Sequence, residues 1–302
     1  MKRVGVIGLG FVGGAVCHSL IDKGMIDELY LYDINAPWLK AQYLDLLQAS
    51  VLNKKKVTLK MVSLKDLNEC DILVNTASAK VLSPDRLQEL SSNRVVVKDI
   101  FKELTRFKGL ILNVSNPCDI ISCLITEETN ICPSRVLGTG TLLDSIRLKT
   151  TISSIYNVEP SRVKALAMGE HGSDLILALS TTTIDNLPFF TYLKENNLTF
   201  NEEVFKKEVT LAGSNIFSVK HRTEYGIASC VTYIIEALFS EDKTQLPLSA
   251  PIMYKDKLIY TSRPVYVNKD GYVGDGPLTL NEIELTRYEE VKAKQFAILY
   301  LK

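Results

Sequence analysis

Short apolar runs alternate with stretches of helical apolar spacing along the first half of the chain. The runs Val4–Ile7, Leu29–Tyr32, Val57–Val62, Ile72–Asn75, Leu110–Val114 and Val136–Gly138 predict strands. Between them Val12–Lys23, Pro37–Ala49, Pro84–Phe107 and Ile120–Thr126 predict helices. Strand then helix, repeated, points to a parallel sheet covered on both faces, because each parallel connection must cross over the sheet. The second half has another rhythm. Thr141–Tyr156 predicts a helix, Val163–Met168 and Leu175–Ile184 predict strands, and Glu202–Phe239 predicts a long helical block broken near Lys220–Thr223. Strands at Leu248–Tyr254, Leu258–Tyr260 and Val265–Val267 follow. A last helix spans Asn281–Leu301, with Thr279 and Glu282 as its capping box. The expected fold class is α/β: a doubly wound parallel sheet over residues 1–140, then an α+β domain over residues 141–302.

Composition narrows the function without naming it. The 302 residues carry 35 basic and 35 acidic side chains, so no overall charge points to a nucleic acid or an acidic membrane surface. The opening MKRVGVIGLG is interrupted by glycines and runs on to Asp22 and Lys23 without a cleavage-like site, which argues against a signal peptide. No apolar stretch has the length of a membrane span. The six cysteines form no C-x-x-C pair. They read as reduced thiols of a cytoplasmic protein, with no metal site.

The candidate chemistry begins at VGVIGLGFVGGAV. Gly8, Gly10 and Gly13 stand in G-x-G-x-x-G spacing, with Phe11 and Val12 between the last two, after a strand and at the start of a helix. One glycine permits the tight turn, one lets backbone approach a pyrophosphate, and one lets helix pack on strand. The helix N-terminus then offers unpaired N–H groups to the phosphates. Asp33, 25 residues after Gly8, ends the second strand. A carboxylate there accepts hydrogen bonds from an adenine ribose and repels an extra 2′-phosphate, so the pattern is a Rossmann turn favouring NAD. The bland alternative is a glycine turn and a surface aspartate.

Five motifs taken together resemble the lactate/malate dehydrogenase family, with the nearest likeness to its L-2-hydroxyisocaproate and L-lactate dehydrogenases: GLGFVG at 8–13, SPDRLQEL at 83–90, VSNP at 114–117, GTGTLLDSIR at 138–147 and MGEHGSD at 168–174. Imidazole titrates near working pH, which suits proton transfer to the alkoxide left by hydride addition to a ketone. The resemblance makes His171 that proton carrier, while His18 and His221 read as structural. It makes Asp144 the carboxylate that orients His171. Arg147, three residues on and able to share its helix face, would clamp the substrate carboxylate with two parallel hydrogen bonds. The resemblance further implies that Arg86 closes over substrate and polarises its carbonyl. Asn116 would bind the reacting oxygen and help to hold nicotinamide, Thr76 and Ala77 would contact the cofactor, and Thr223 and Ile227 would line the substrate pocket and pack on nicotinamide. Read alone, each has an ordinary alternative: a first-turn aspartate, surface arginines, an Asn-Pro turn, helix core.

The loop TASAKVLSPDR at 76–86 decides substrate, and two readings stay open. Counting back from Arg86 places Lys80 against the substrate side chain, which suits a second carboxylate and a malate enzyme. Counting forward from Thr76 places Val81 there, which suits an apolar side chain. GTGTLLD resembles the hydroxyisocaproate type, so a neutral 2-oxo acid is expected. Ser78 stands where the family commonly has glycine. Lys149 and Lys164 fall where allosteric bacterial lactate dehydrogenases carry basic groups for a sugar bisphosphate, which implies a weak anion site. The helix around Ala41–Ala49 resembles the family's subunit-contact helix and implies a homodimer or homotetramer. The rival of another class is a catalytically silent NAD-binding regulator.

Overall fold

The computed structural model describes residues 1–79, 86–172 and 174–301, with the backbone alone at 86–90. The chain runs β1 (Arg3–Ile7), α1 (Phe11–Lys23), β2 (Glu28–Tyr32), α2 (Ala36–Ser50), β3 (Thr58–Met61), β4 (Ile72–Asn75), α3 (Arg86–Phe101), β5 (Leu110–Asn113), α4 (Cys118–Thr129) and β6 (Val136–Gly138). These strands pair in parallel in the order β3-β2-β1-β4-β5-β6. Chain direction in the sheet reverses its stepping between β1 and β4, and a crevice opens at the carboxyl ends on either side of that point. Every residue of β4 and β5 is buried, as expected of strands covered on both faces.

The remainder runs α5 (Leu142–Tyr156), β7 (Val163–Lys164), β8 (Ala167–Gly169), β9 (Leu175–Leu177), β10 (Thr183–Ile184), β11 (Leu187–Pro188), α6 (Phe189–Glu195), α7 (Glu202–Lys220), α8 (Tyr225–Leu238), β12 (Thr244–Tyr254), β13 (Lys257–Asn268), β14 (Gly271–Asp275) and α9 (Glu282–Tyr300). The large sheet continues across β6: β12 joins it antiparallel through Ser249 opposite Gly138, followed by β13, β8 and β9, with β14 on β13. Helix α8 buries Ala228, Val231, Ile234 and Ile235 in the same core as Val16, Leu20, Val6 and Val74 of α1, β1 and β4. On the opposite face Leu299 of α9 joins Ile111, Ile121 and Leu124 of β5 and α4. Among the described residues no helix is long and apolar enough to cross a membrane.

Several elements differ from the sequence expectation, each for a local reason. Helix α3 stops at Phe101, and the chain turns so that Leu104 and Phe107 also enter the core. Val163–Met168 divides into β7 and β8, which belong to different sheets, and Leu175–Ile184 divides into β9 and β10 around a turn. Leu258–Tyr260 and Val265–Val267 are one strand running through Pro264. That proline faces Pro247 across the ladder, and its carbonyl points away to accept from Gly276 N–H at 2.9 Å, so β12 needs no donor from it. Helix α6 and strand β14 were not expected. The capping box of α9 is Asn281 with Glu284 instead of Thr279 with Glu282: Asn281 Oδ1 accepts from Glu284 N–H at 2.9 Å, and Glu284 Oε2 accepts from Asn281 N–H at 3.1 Å. The break predicted near Lys220–Thr223 falls there, with His221 left-handed at φ 59°.

Asn281→Ala should therefore lower unfolding stability by about 1 kcal/mol in chemical denaturation. Thr279→Ala should change it far less, since Thr279 contributes its backbone carbonyl to Ser180 Oγ. Equal losses would refute the assignment of the cap.

Candidate active site

At Gly8 and Gly13 the glycine turn is held by contacts that leave no room for side chains. Gly8 has φ +87°, and a Cβ there would lie 2.8 Å from Ala77 N. A Cβ on Gly13 would lie 2.0 Å from Gly8 O and 2.7 Å from Thr76 Oγ1, the hydroxyl that donates to Gly8 O at 2.5 Å. A Cβ on Gly10 would meet nothing within 4 Å, so the turn is open only on the side of the α1 N-terminus, where no side chain caps the helix. That open backbone fits a dinucleotide pyrophosphate. Asp33 follows β2 directly. Its Oδ2 accepts from Leu9 N–H at 2.7 Å and its Oδ1 accepts from Asn35 N–H at 2.8 Å. The Leu9 carbonyl accepts from Trp38 Nε1 at 2.6 Å and from Gln42 Nε2 at 2.9 Å. The Leu9 N–H is thus fixed from the turn between β2 and α2, and its carbonyl from α2 itself.

Asn116 lies three residues beyond the end of β5, beside the cis bond to Pro117, with its side chain exposed above the carboxyl edge of the sheet. Its carbonyl accepts from Asn93 Nδ2 at 3.3 Å, and Asn93 Oδ1 accepts from Ala79 N–H at 3.0 Å. A buried asparagine of α3 therefore ties the segment after Thr76 and Ala77 to the Asn116 turn.

The second cluster forms where α5 leaves β6. Thr141 Oγ1 donates to the Ala167 carbonyl at 2.7 Å, and Ser145 Oγ accepts from Ala167 N–H at 2.9 Å. These bonds clip the first turn of α5 to β8, bringing Asp144 opposite the residues that follow β8. Asp144 Oδ2 lies 2.6 Å from His171 Nδ1, and Asp144 Oδ1 accepts from Arg147 Nη1 at 3.0 Å. Asp144 is 2% exposed, so both oxygens of a dry carboxylate are used by these two groups. Because Nδ1 is engaged, Nε2 of His171 is the nitrogen left for a ligand. The Asp144 hydrogen bond raises the His171 pKa above its ordinary value, against the effect of burial.

Thr223 and Ile227 flank the start of α8. There a Cβ on Gly226 would lie 3.1 Å from Leu143 of α5, and Arg222 stands over the Phe11 ring at 4.7 Å. The α7–α8 connection thus touches both the glycine turn and the helix of Asp144. Val12 packs against the core beneath that turn. Lys149 and Lys164 line one cavity of about 550 Å3, with Lys164 Nζ 2.8 Å from Asn186 Oδ1. Lys80 and Val81 lie outside the described residues, as does the side chain of Arg86, whose backbone begins α3.

Among the groups that sequence reasoning passed over, three bear on the cluster of Asp144, Arg147 and His171. A Cβ on Gly213 would lie 3.1 Å from Arg147 Nη2, so α7 admits the guanidinium against its backbone. A glycine inside a helical run was the available signal. Asp119 is buried in α4, and burial pushes its carboxyl up to about 7. Its charge favours the protonated form of His171. Glu170, beside His171, was quoted within its motif without a role.

Comparison with known proteins finds matches along most of the chain. The model described as lactate/malate dehydrogenase, NAD binding domain, matches residues 2–138, and that described as lactate/malate dehydrogenase, alpha/beta C-terminal domain, matches residues 141–296. The L-lactate dehydrogenase of Fusobacterium nucleatum is 29% identical over 299 residues, 97% of this chain and 94% of the relative. That of Clostridium botulinum is 32% identical over 294 residues, 94% and 92% of the two chains. The minor L-lactate dehydrogenase of Enterococcus mundtii, solved in its ligands-bound form, is similar at a TM-score of 0.93 and 28% identity, covering 99% of this chain and 97% of that one. A lactate dehydrogenase from a Medee basin deep-sea metagenome also gives 0.93 at 28%, over 99% and 98%. Fold and site together define an NAD-dependent oxidoreductase acting on the CH–OH group of 2-hydroxy acids. The chain belongs to the lactate/malate dehydrogenase family.

The crowding at Gly13 gives a direct test. Gly13→Ala must displace the Gly8 carbonyl or the Thr76 hydroxyl, so NADH affinity, read by nucleotide fluorescence, should fall at least about tenfold. Unchanged affinity would show that the turn does not carry the pyrophosphate.

Proposed function

We propose that the chain reversibly reduces a small neutral 2-oxo acid to its L-2-hydroxy acid, with His171 and Asp144 as the proton relay. The observation that carries this is the sharing of one buried carboxylate between an imidazole and a guanidinium. Arg147 gives one nitrogen to Asp144 and keeps the rest of its fork for a substrate carboxylate. A substrate held there places its neighbouring carbonyl within reach of His171 Nε2. When bound, the dinucleotide supplies or takes up the hydride. In reduction C2 gains that hydride, the carbonyl π pair moves to oxygen, and His171 Nε2 gives that oxygen its proton. Asp144 stabilises the imidazolium beforehand and fixes which nitrogen faces the substrate. Arg86, at the start of α3, polarises the carbonyl, and Asn116 bonds the reacting oxygen. Gly8, Gly10, Phe11, Val12, Gly13, Asp33, Thr76, Ala77 and Ile227 hold the dinucleotide, and Thr223 lines the pocket.

The neutral substrate is supported by the apolar Val81 register and by the GTGTLLD likeness. A dicarboxylate read through Lys80 is the alternative. Residues 1–140 serve as the nucleotide-binding domain and 141–302 as the catalytic domain. The exposed Trp38, Leu44, Leu47 and Val51 of α2 and the turn after it support a homo-oligomer joined there. The cavity shared by Lys149 and Lys164 supports a weak anion effector site. Five buried free thiols suit a reducing compartment, and we place the enzyme in the cytoplasm.

NADH oxidation with pyruvate, 2-oxo-4-methylpentanoate and oxaloacetate tests the substrate. The first two should react with at least about tenfold higher kcat/KM than oxaloacetate. Preference for oxaloacetate would transfer the reading to malate, and silence with all three would favour a regulator. Fructose bisphosphate should raise activity at low substrate, and no response would remove the effector site.

The relay has a pH signature. Reduction uses protonated His171, so kcat/KM should be full at low pH and fall as pH rises through the elevated His171 pKa. Asp144→Asn removes the first cause of that elevation, so the falling limb should move to lower pH and turnover should drop at least about tenfold. A limb that stays in place would end the relay.

A further inference from the structure

His171 sits in the short connection between β8 and β9, which the pairing of Gly169 with Leu175 closes. Gly169 at φ +89° and Gly172 at φ +132° both occupy backbone regions that side chains rarely adopt, and a Cβ on Gly172 would meet nothing within 4 Å. The hydrogen bond to Asp144 aims one edge of the imidazole. It does not reach the backbone that carries the ring, and Gly172, with nothing beside it, adds no side-chain packing there.

A single residue of α9 spans the segment. Lys294 Nζ lies 3.3 Å from Glu170 Oε2 and also forms an ion pair with Asp174 Oδ2. These acidic residues stand on either side of His171. Helix α9 is itself anchored, with Tyr288, Val291 and Leu299 buried in two different cores. Glu170 is mostly buried, and burial raises its carboxyl pKa while Lys294 opposes that rise. An exposed ion pair contributes little to stability. A bridge holding both flanks of His171 acts instead on where that residue sits.

We propose that Lys294 is a positioning residue for the proton-transfer step: by pairing with Glu170 and Asp174 together, it draws the His171 segment onto α9 and keeps the imidazole against Asp144. The proposal rests on the reading of His171 as the proton carrier. Without the ammonium the two flanks of His171 lose their shared tie to α9.

The test uses the full chain with Lys294→Met, Lys294→Arg and His171→Asn, measuring NADH affinity, kcat, KM for the preferred 2-oxo acid and melting temperature. Lys294→Met should keep NADH affinity within about twofold and lose kcat by roughly tenfold to a hundredfold, the size expected for a displaced reacting group. Lys294→Arg, which retains a cation able to bridge two carboxylates, should recover most of that loss. A wild-type kcat in Lys294→Met beside an inactive His171→Asn overturns the proposal and leaves the relay standing. Turnover in His171→Asn removes the relay and the proposal with it. Loss of kcat and NADH affinity in parallel, or no recovery with arginine, also counts against it. If Lys294→Met does not fold, Glu170→Gln/Asp174→Asn removes the acidic ends and keeps the lysine. It should show the same loss of kcat with NADH affinity retained, and a wild-type kcat there overturns the proposal.

Discussion

The site depends on one carboxylate that has no water to turn to. Asp144 is buried at the start of α5, and its two oxygens are divided between His171 and Arg147. A buried charge deprived of one partner typically costs about 3–5 kcal/mol. The same requirement that keeps Asp144 satisfied therefore holds the imidazole and the guanidinium at a fixed separation. Much of the surrounding structure serves that requirement: Thr141 and Ser145 clip α5 to β8, and Gly213 clears room in α7.

The parts of this arrangement legible in the sequence were those set by local rules. The glycine turn was legible because three glycines at fixed spacing after a strand form a local signature, of which the close approach of Gly13 to Gly8 O is a part; the approach of Gly8 to Ala77, far along the chain, was not readable from it. Asp144 and Arg147 were legible as neighbours because three residues of helix put them on one face. The meeting of Asp144 and His171 was not deducible from spacing. It depends on hydrogen bonds between α5 and β8 made across 22 and 26 residues, and only the family resemblance anticipated it. Trp38, Gln42 and Asn93 were missed for the same reason, since each bonds to a backbone group far along the chain. The strand through Pro264 was hidden because a proline ordinarily stops a ladder, and only the register of β12 shows that its missing donor is not needed.

Two layers of support can now be separated. One holds the glycine turn: Asp33 fixes the Leu9 N–H, and Trp38 and Gln42 fix its carbonyl, so the turn is shaped by the protein's own contacts. Preorganisation of that kind moves the entropic cost of ordering from binding to folding. The other holds Asp144, His171 and Arg147 and comes from the second half of the chain, through α5 and α7. The two layers meet at the α7–α8 connection, where Arg222 lies over Phe11.

The sharing of cores by α8 and α9 has a consequence for how the molecule can be divided. The nucleotide-binding strands and α1 bury Val6, Val16, Leu20 and Val74 in the cluster that Ala228, Val231, Ile234 and Ile235 complete. A fragment ending near residue 140 would lack that helix and present a broad apolar face to water, the kind of surface that drives self-association. The nucleotide-binding segment is therefore not a portable module. A gene fusion or truncation designed on the glycine turn alone would have to carry α8 with it, although α8 begins more than two hundred residues downstream of that turn.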